Sequence, residues 1–368
     1  MKYYIISGEA SGDLHGSNLI KELLKLDTLA DIRCWGGDKM QAAGATLVKH
    51  YKELAFMGFT EVLKNLPTIF RNLAFCKDDI LAFKPDALIL VDYPGFNLRI
   101  AKWAKTQGLR VIYYISPQVW AWKENRVKMM KQCIDKMICI LPFEKKYYRD
   151  RWNWEVDYVG HPLVEVVDHW RSAVGSEQLA VTGNVIALLP GSRKQEILKK
   201  LPIMLEVAKH FPTYQFVVAK APGLEESFYT NLLQPYNNVS SVADKTYALL
   251  SGSKAALVTS GTATLETALF GVPEVICYKG NNISYQLAKR LIKIKFIGLV
   301  NLIMDKEVVK ELIQHDLTVK NLKYELNELL NNPQKQQQVR EDYAALWNLL
   351  SQGGHASANA AKIIVDSL

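Results

Sequence analysis

No run of the chain approaches the roughly 18 consecutive apolar residues of a membrane span, so any membrane contact is expected to be peripheral. Cysteine is scarce: Cys34, Cys76, Cys133, Cys139 and Cys277 are odd in number, sit mostly in apolar segments and form no C-x-x-C pair. That excludes a disulfide framework and a thiolate zinc site, and it reads as reduced, cytoplasmic thiols. The opening MKYYIISGEASGD has one lysine and a short apolar run that stops at Gly8 and Glu9, a first strand rather than a secretion signal. No G-x-G-x-x-G follows any predicted strand and no G-x-x-x-x-G-K-[ST] occurs, which weakens dinucleotide and P-loop readings. Helix-turn-helix, RNP-like and zinc-finger signatures are missing too, so nucleic acid is not the expected partner. Repeats are absent, and the only biased tract is the short Gln336–Gln338 run.

What is present is ordinary globular material. The 368 residues are 49% hydrophobic and 22% charged, enough for two domains, and the formal net charge of +8 favours an anionic partner. Strand-length apolar runs alternate with helical patterns throughout, the signature of parallel sheets covered by helices. Strands are predicted at 3–7, 87–92, 111–115 and 137–141, and again at 185–189, 215–219, 255–259 and 274–278. The polar, glycine-bearing stretch 168–184 reads as a linker near the start of the second series. The expected fold is α/β, with two doubly wound Rossmann-like domains facing a central cleft lined by their C-terminal strand ends. The expected division is 1–170, completed by a C-terminal helix at 346–368, and 171–345.

Four turns carry candidate chemistry. In the second half, the strand of AALVTSGTATLE runs into Ser260-Gly261-Thr262 and a helix start, whose unpaired N–H groups and positive dipole end suit a phosphate. One turn on, Glu266 can accept hydrogen bonds from a ribose diol, although a turn glycine and a solvated glutamate read equally simply. Gly191-Ser192-Arg193 closes another strand and presents a planar guanidinium beside helix N–H groups, an anion site. In the first half, Ser7–Gly16 holds three glycines, Glu9, Asp13 and His15; Ser11 is read as a helix cap or a substrate contact, and Gly12 allows close backbone approach. Asp92, at the end of a buried strand and followed by Tyr93-Pro94-Gly95-Phe96-Asn97, is placed for partial desolvation and general-base work.

Surface patterns bear on partners. On 60–73, Val62, Leu66, Ile69, Phe70 and Leu73 share one helical face, which suits either the core or a membrane surface. Lys289, Arg290, Lys293 and Lys295 are closely spaced, and 123–151 holds nine Lys/Arg against four Asp/Glu; solvated faces individually, together they would steer the chain to anionic lipid. Gln118, Trp120 and Trp122 follow a central strand, where tryptophans line a cleft or contact lipid more often than they stack on bases.

In order along almost the whole chain, SGEASGDLHG (7–16), GGDKMQAAG (36–44), VDYPGFN (91–97), YISPQVWAW (114–122), LPFE (141–144), VGHP (159–162), LLPGSRKQEI (188–197), SGTATLE (260–266) and VNLI (300–303) resemble the lipid-A-disaccharide synthase family. The resemblance implies a GT-B fold with the acceptor in the N-terminal domain and a UDP-sugar donor in the C-terminal one. It implies the reaction of UDP-2,3-diacylglucosamine with 2,3-diacylglucosamine 1-phosphate, giving a β-1,6-linked disaccharide 1-phosphate and UDP. On this basis Asp92 is the expected base, with Glu9 or Asp13 sharing the role. Arg193, Gly191, Ser192, Ser260, Gly261, Thr262, Glu266 and Asn301 are expected at UDP, and Ser11, Gly12, His15, Asn97, Gln118 and Trp120 at the acceptor. The chain departs from the family at Gly95, where many members carry a second Asp. No metal or cofactor is expected, in keeping with the missing D-x-D motif. The implied location is cytoplasmic, attached peripherally to the anionic inner-membrane surface. Members can form homodimers, and the C-terminal segment is expected to cross back to the first domain or to a partner. Two rival readings are another UDP-sugar enzyme of this fold, such as a UDP-GlcNAc epimerase or a cell-wall glycosyltransferase, and a non-enzymatic basic lipid- or nucleic-acid-binding protein.

Overall fold

The structure is a computed structural model that describes residues 1–53, 66–173, 183–221, 224–281, 285 and 294–368. The chain divides into two compact units, Met1–Pro162 with Leu350–Leu368, and Leu163–Leu349. The first is built on seven parallel strands: β1 (Lys2–Ile6), β2 (Asp31–Gly36), β3 (Thr46–His50), β4 (Ala87–Val91), β5 (Val111–Tyr114), β6 (Lys136–Cys139) and β7 (Asp157–Tyr158), in the order β3-β2-β1-β4-β5-β6-β7. The second has six, β8 (Val185–Leu189), β9 (Gln215–Ala219), β10 (Val239–Val242), β11 (Ala255–Thr259), β12 (Glu274–Tyr278) and β13 (Lys310–Ile313), ordered β10-β9-β8-β11-β12-β13.

Both orders run outward from the first strand of the unit and reverse after the third. The switch points therefore lie between β1 and β4 and between β8 and β11, where open α/β sheets bind ligands beyond the strand ends. The central strands are apolar on both faces because helices cover both: every residue of β4, β8 and β11 is buried. Tyr3, Tyr4, Trp35, Tyr113 and Tyr148 fill the first core with no exposed surface.

Two first-half strands stop short of their predicted ends for a backbone reason: Asp92 and Ile115 take φ of +46° and +67°, leaving the β region immediately after β4 and β5. β1 and β6 also end early, at Ile6 and Cys139. The predicted linker begins in helix Pro162–Ala173, which covers its first residues; 174–182 lie outside the described residues, and 183–184 are a bend before β8.

The C-terminal helix Ala356–Asp366 packs on helix Ala10–Leu26 and buries Ala356, Ala360, Ala361 and Ile364. The turn before it needs glycine. A Cβ on Gly353 would lie 2.3 Å from Gly160 Cα, so these two backbones touch directly. The Asn359 amide donates to Val159 O at 3.3 Å, fastening the same junction. Of the proposed membrane stripe, Leu73 is sealed in the first core and Ile69 packs partly against it, whereas Phe70 is 62% exposed. Leu73 is thus corrected to a core residue; Val62 and the Leu66 side chain, like Lys289, Arg290 and Lys293, lie outside the described residues.

Candidate active site

The first unit gathers Glu9 and Asp92 at its switch point, because β1 and β4 are neighbours in the sheet. Glu9 precedes helix Ala10–Leu26 in an extended conformation and is half-buried. Gly8 is required beside it, since a Cβ there would sit 2.3 Å from the Tyr93 ring.

Asp92 and Tyr93 both occupy the left-handed region, at φ +46° and +49°, an unfavourable pair for residues with side chains that persists only when surrounding contacts over-determine it. Three contacts do so. The Asp92 N–H donates to Tyr114 O at 3.0 Å, and its carbonyl accepts from Asn97 Nδ2 at 2.8 Å and from the Tyr113 hydroxyl at 2.5 Å. Burial, and then the negative charge of Glu9, push the Asp92 carboxyl up to about 7. A carboxyl poised there is half ionised near neutral pH and can accept a proton from an alcohol.

Several expected roles change. Asp13 is buried and its carboxylate is spent on the backbone of the next turn: Oδ1 accepts from Gly37 N (2.8 Å) and Met40 N (3.0 Å), and Oδ2 from Lys39 N (3.2 Å). It caps helix Asp38–Ala42 and is no base. Asn97, expected at the acceptor, has no exposed surface, and its amide also reaches Ile6 O and Val91 O, so it holds the Asp92 turn. His15 is buried with Nδ1 unpaired, and desolvation lowers it to about 4; His161, buried and facing His15, falls to about 3. Desolvation therefore favours the neutral form of both imidazoles. Gly12 packs on Ser7, where a Cβ would come within 2.9 Å of the serine Cβ, and Ser11 is half-buried beside it. Gly95 is exposed, with nothing within 4 Å of an added Cβ, so an aspartate at this position would meet no steric bar.

Gln118 is exposed, and Trp120, half-buried, donates its indole N–H to Glu144 Oε1 at 3.1 Å. Glu144, in the LPFE segment, has no role that the sequence alone assigns. Its signal is a charged residue three positions past the turn that opens helix Pro142–Trp152, a helix-start position.

In the second unit, Gly191 turns at φ +115° after β8, and Ser192 and Arg193 are exposed ahead of helix Lys194–Ala208. Arg193 Nη1 is 3.0 Å from Glu196 Oε1, which fixes the guanidinium beside the helix start. After β11, Ser260 Oγ donates to Ile297 O at 3.1 Å, and Gly261, at φ +156°, leads into helix Thr262–Leu269. Gly261 and Thr262 are exposed, so their N–H groups open outward at this switch point. Glu266 Oε1 accepts from the Tyr247 hydroxyl at 2.7 Å, and burial raises its carboxyl above the usual range.

Asn301 is corrected to a scaffold residue. It is fully buried, its Nδ2 donates to Val309 O (2.8 Å) and Glu311 Oε1 (2.9 Å), and its Oδ1 accepts from Val308 N and Val309 N. Those bonds consume its polar atoms in pinning the start of β13. Among the described residues no group of three or more His, Cys, Asp or Glu could hold a metal.

The chain is similar to known proteins along nearly its whole length. The sequence profile of the family described as lipid-A-disaccharide synthetase matches residues 3–365. The lipid-A-disaccharide synthase of Geobacter metallireducens is 40% identical over 374 residues, covering 99% of this chain and 96% of the relative. That of Geobacter sulfurreducens is 38% identical over 375 residues, with the same coverage. Among solved structures, the UDP-GlcNAc 2-epimerase from Neisseria meningitidis bound to UDP-GlcNAc superposes with a TM-score of 0.68 at 15% identity, covering 100% of this chain and 99% of the other. The calicheamicin glycosyltransferase CalG4 superposes with a TM-score of 0.61 at 14% identity, covering 99% and 97%. At those identities the structures establish the fold, α/β with two parallel sheets of the GT-B type, as the sequence predicts. The full-length match establishes more: the chain belongs to the lipid-A-disaccharide synthetase family.

Proposed function

We propose that this chain is an inverting glycosyltransferase that joins UDP-2,3-diacylglucosamine to 2,3-diacylglucosamine 1-phosphate, with Asp92 as the base. Family membership over residues 3–365 carries the overall reaction. The observation that carries the base assignment is a carboxyl raised to about 7 at the β1/β4 switch point, on a backbone turn held by three hydrogen bonds. In the proposed step the Asp92 carboxylate takes the proton of the acceptor 6-hydroxyl as O6 forms its bond to the donor anomeric carbon. The bond from that carbon to the diphosphate breaks with its electron pair, and UDP leaves. Arg193 and the N–H groups of the Gly191–Arg193 and Ser260–Thr262 turns stabilise the departing charge. The ribose diol is assigned to Glu266, whose orientation Tyr247 fixes. Glu9 acts on Asp92 through its charge, and Gln118 and Trp120 are the side chains assigned to the acceptor.

Among the described residues no helix is long and apolar enough to cross a membrane. Peripheral docking on anionic lipid is supported by exposed Phe70 and the net charge of +8. Purified protein given both acylated substrates should yield disaccharide 1-phosphate and UDP together. Asp92→Ala should abolish the product while leaving UDP affinity nearly intact, and Arg193→Ala should weaken UDP binding. Normal turnover in the first variant, or unchanged UDP affinity in the second, would remove the corresponding assignment.

A further inference from the structure

The segment from Ile115 to Asn125 carries Gln118, Trp120 and Trp122 and contains neither strand nor regular helix. It begins under strain, because Ile115 is a β-branched residue at φ +67°, and it holds another left-handed residue near its end, Lys123 at φ +58°. Its own hydrogen bonds are short-range: Val119 N to Pro117 O at 2.6 Å, and Ala121 N and Trp122 N to Gln118 O at 3.1 and 3.3 Å. Such bonds shape the loop without fixing it to the protein.

The polar ties outward from its first half run to β6 and the helix after it. Ile115 N donates to Ile138 O at 3.1 Å, Ser116 Oγ meets the Tyr148 hydroxyl at 2.7 Å, and the Trp120 indole donates to Glu144 at 3.1 Å while its ring stands edge-on against Phe143. Among the described residues, the last is the polar tie that reaches the middle of the loop, beside Val119, which is buried in the first core. Glu144 is buried, and its other oxygen, Oε2, accepts from Leu141 N at 3.0 Å, so the carboxyl is locked to the helix start before it reaches the loop. A buried acid costs free energy unless its oxygens are used, and here the carboxyl is used by the Leu141 and Ile140 backbone, by Ser116 at the start of the loop and by the Trp120 indole in its middle.

We propose that Glu144 is a positioning residue for the acceptor, setting the place of Trp120, and with it Gln118, through the hydrogen bond to the Trp120 indole. The proposal rests on the assignment of Gln118 and Trp120 to the acceptor. An amide offers one acceptor oxygen in place of two, so in Glu144→Gln either Leu141 N–H or Trp120 N–H loses its partner. Trp120→Phe deletes the same bond from the other side and keeps a ring against Phe143.

The test measures the acceptor KM, kcat and UDP affinity for Glu144→Gln, Trp120→Phe and the double variant, with Gln118→Ala alongside. Each of the first two should raise the acceptor KM by about 5- to 15-fold, the range expected for one buried hydrogen bond. UDP affinity should stay the same, and the double variant should be no worse than the worse single one, because both remove one bond. Additive effects, an unchanged acceptor KM in Glu144→Gln, an equal loss of UDP affinity, or a Glu144→Gln protein that no longer folds would overturn the proposal. If Gln118→Ala and Trp120→Phe both leave the acceptor KM unchanged, the acceptor assignment itself fails, a result distinct from failure of Glu144 alone.

Discussion

Asp92→Asn should stabilise the first unit at alkaline pH while destroying activity. The Asp92 carboxyl is raised from 3.8 to about 7, chiefly by burial. Its folded value therefore exceeds its unfolded one. Between those two values the folded protein holds a proton that the unfolded chain has released, so stability falls as pH rises through that window. Above about pH 7 the whole penalty is in place, and below about pH 4 it is gone. Three units at about 1.4 kcal/mol each set a ceiling of roughly 4 kcal/mol, and the partial exposure of the side chain reduces the expectation to about 2 kcal/mol. Asn keeps the shape and the backbone contacts through Tyr113 and Asn97 but has no proton to lose. Urea unfolding of wild type and variant, followed by tryptophan fluorescence at pH 5 to 9, reads the difference. Trp35, Trp103, Trp120, Trp122, Trp152 and Trp154 lie in the first unit, against Trp170 and Trp347 in the second, so the signal reports mainly the unit that changes. The gain should grow with pH and level off above about 7. A difference independent of pH, or a variant less stable at pH 8 than at pH 5 relative to wild type, would refute the raised carboxyl.

Further outcomes follow from the same geometry. Tyr113→Phe removes the hydroxyl that clamps the Asp92 carbonyl, so kcat should fall about tenfold with little change in UDP affinity, and wild-type turnover would show that Asn97 suffices. Gly95→Asp, for which there is open space, adds a like charge one helical turn from Asp92 and should move the midpoint of the pH–rate profile upward; a downward shift would contradict the electrostatic account. Phe70→Glu should reduce binding to anionic vesicles without changing the melting temperature, whereas Leu73→Ala should cost about 2–4 kcal/mol of stability and leave vesicle binding of the folded protein alone. Equal effects of the two on binding would remove the distinction between the exposed and buried sides of this helix.

The sequence was most legible where burial is two-sided. β8, β9, β11 and β12 are apolar runs whose polar residues, Gln215, Thr259 and Glu274, stand only at their ends, and their bounds match those read from the chain. β2, β3, β10 and β13 escaped because DIRCWG, TLVKH, VSSV and KELI mix charged or hydroxyl residues into partly exposed strands, where neither alternation nor an unbroken apolar run stands out. The site shows the same division. The turns after strands were visible as Gly-rich segments ending apolar runs, but the proximity of Glu9 to Asp92 depends on β1 pairing with β4, across more than eighty residues. Asp13 and Asn301 were misplaced for a related reason. Their partners are backbone N–H groups of residues 37–40 and 308–309, and nothing in a sequence marks a carboxylate or amide as already satisfied. Glu144 was missed because its partner, the Trp120 indole, lies on a loop 24 residues earlier in the chain.

The central claim is most directly tested by the pH dependence of disaccharide 1-phosphate formation from both acylated substrates, with UDP release followed in parallel. Product and UDP should appear in equal amounts, kcat should rise through a midpoint near pH 7 as Asp92 ionises, and Asp92→Asn should lose at least about a hundredfold in rate across the range. UDP release without disaccharide, or a pH–rate midpoint near 4 with Asp92→Asn still active, would contradict the account.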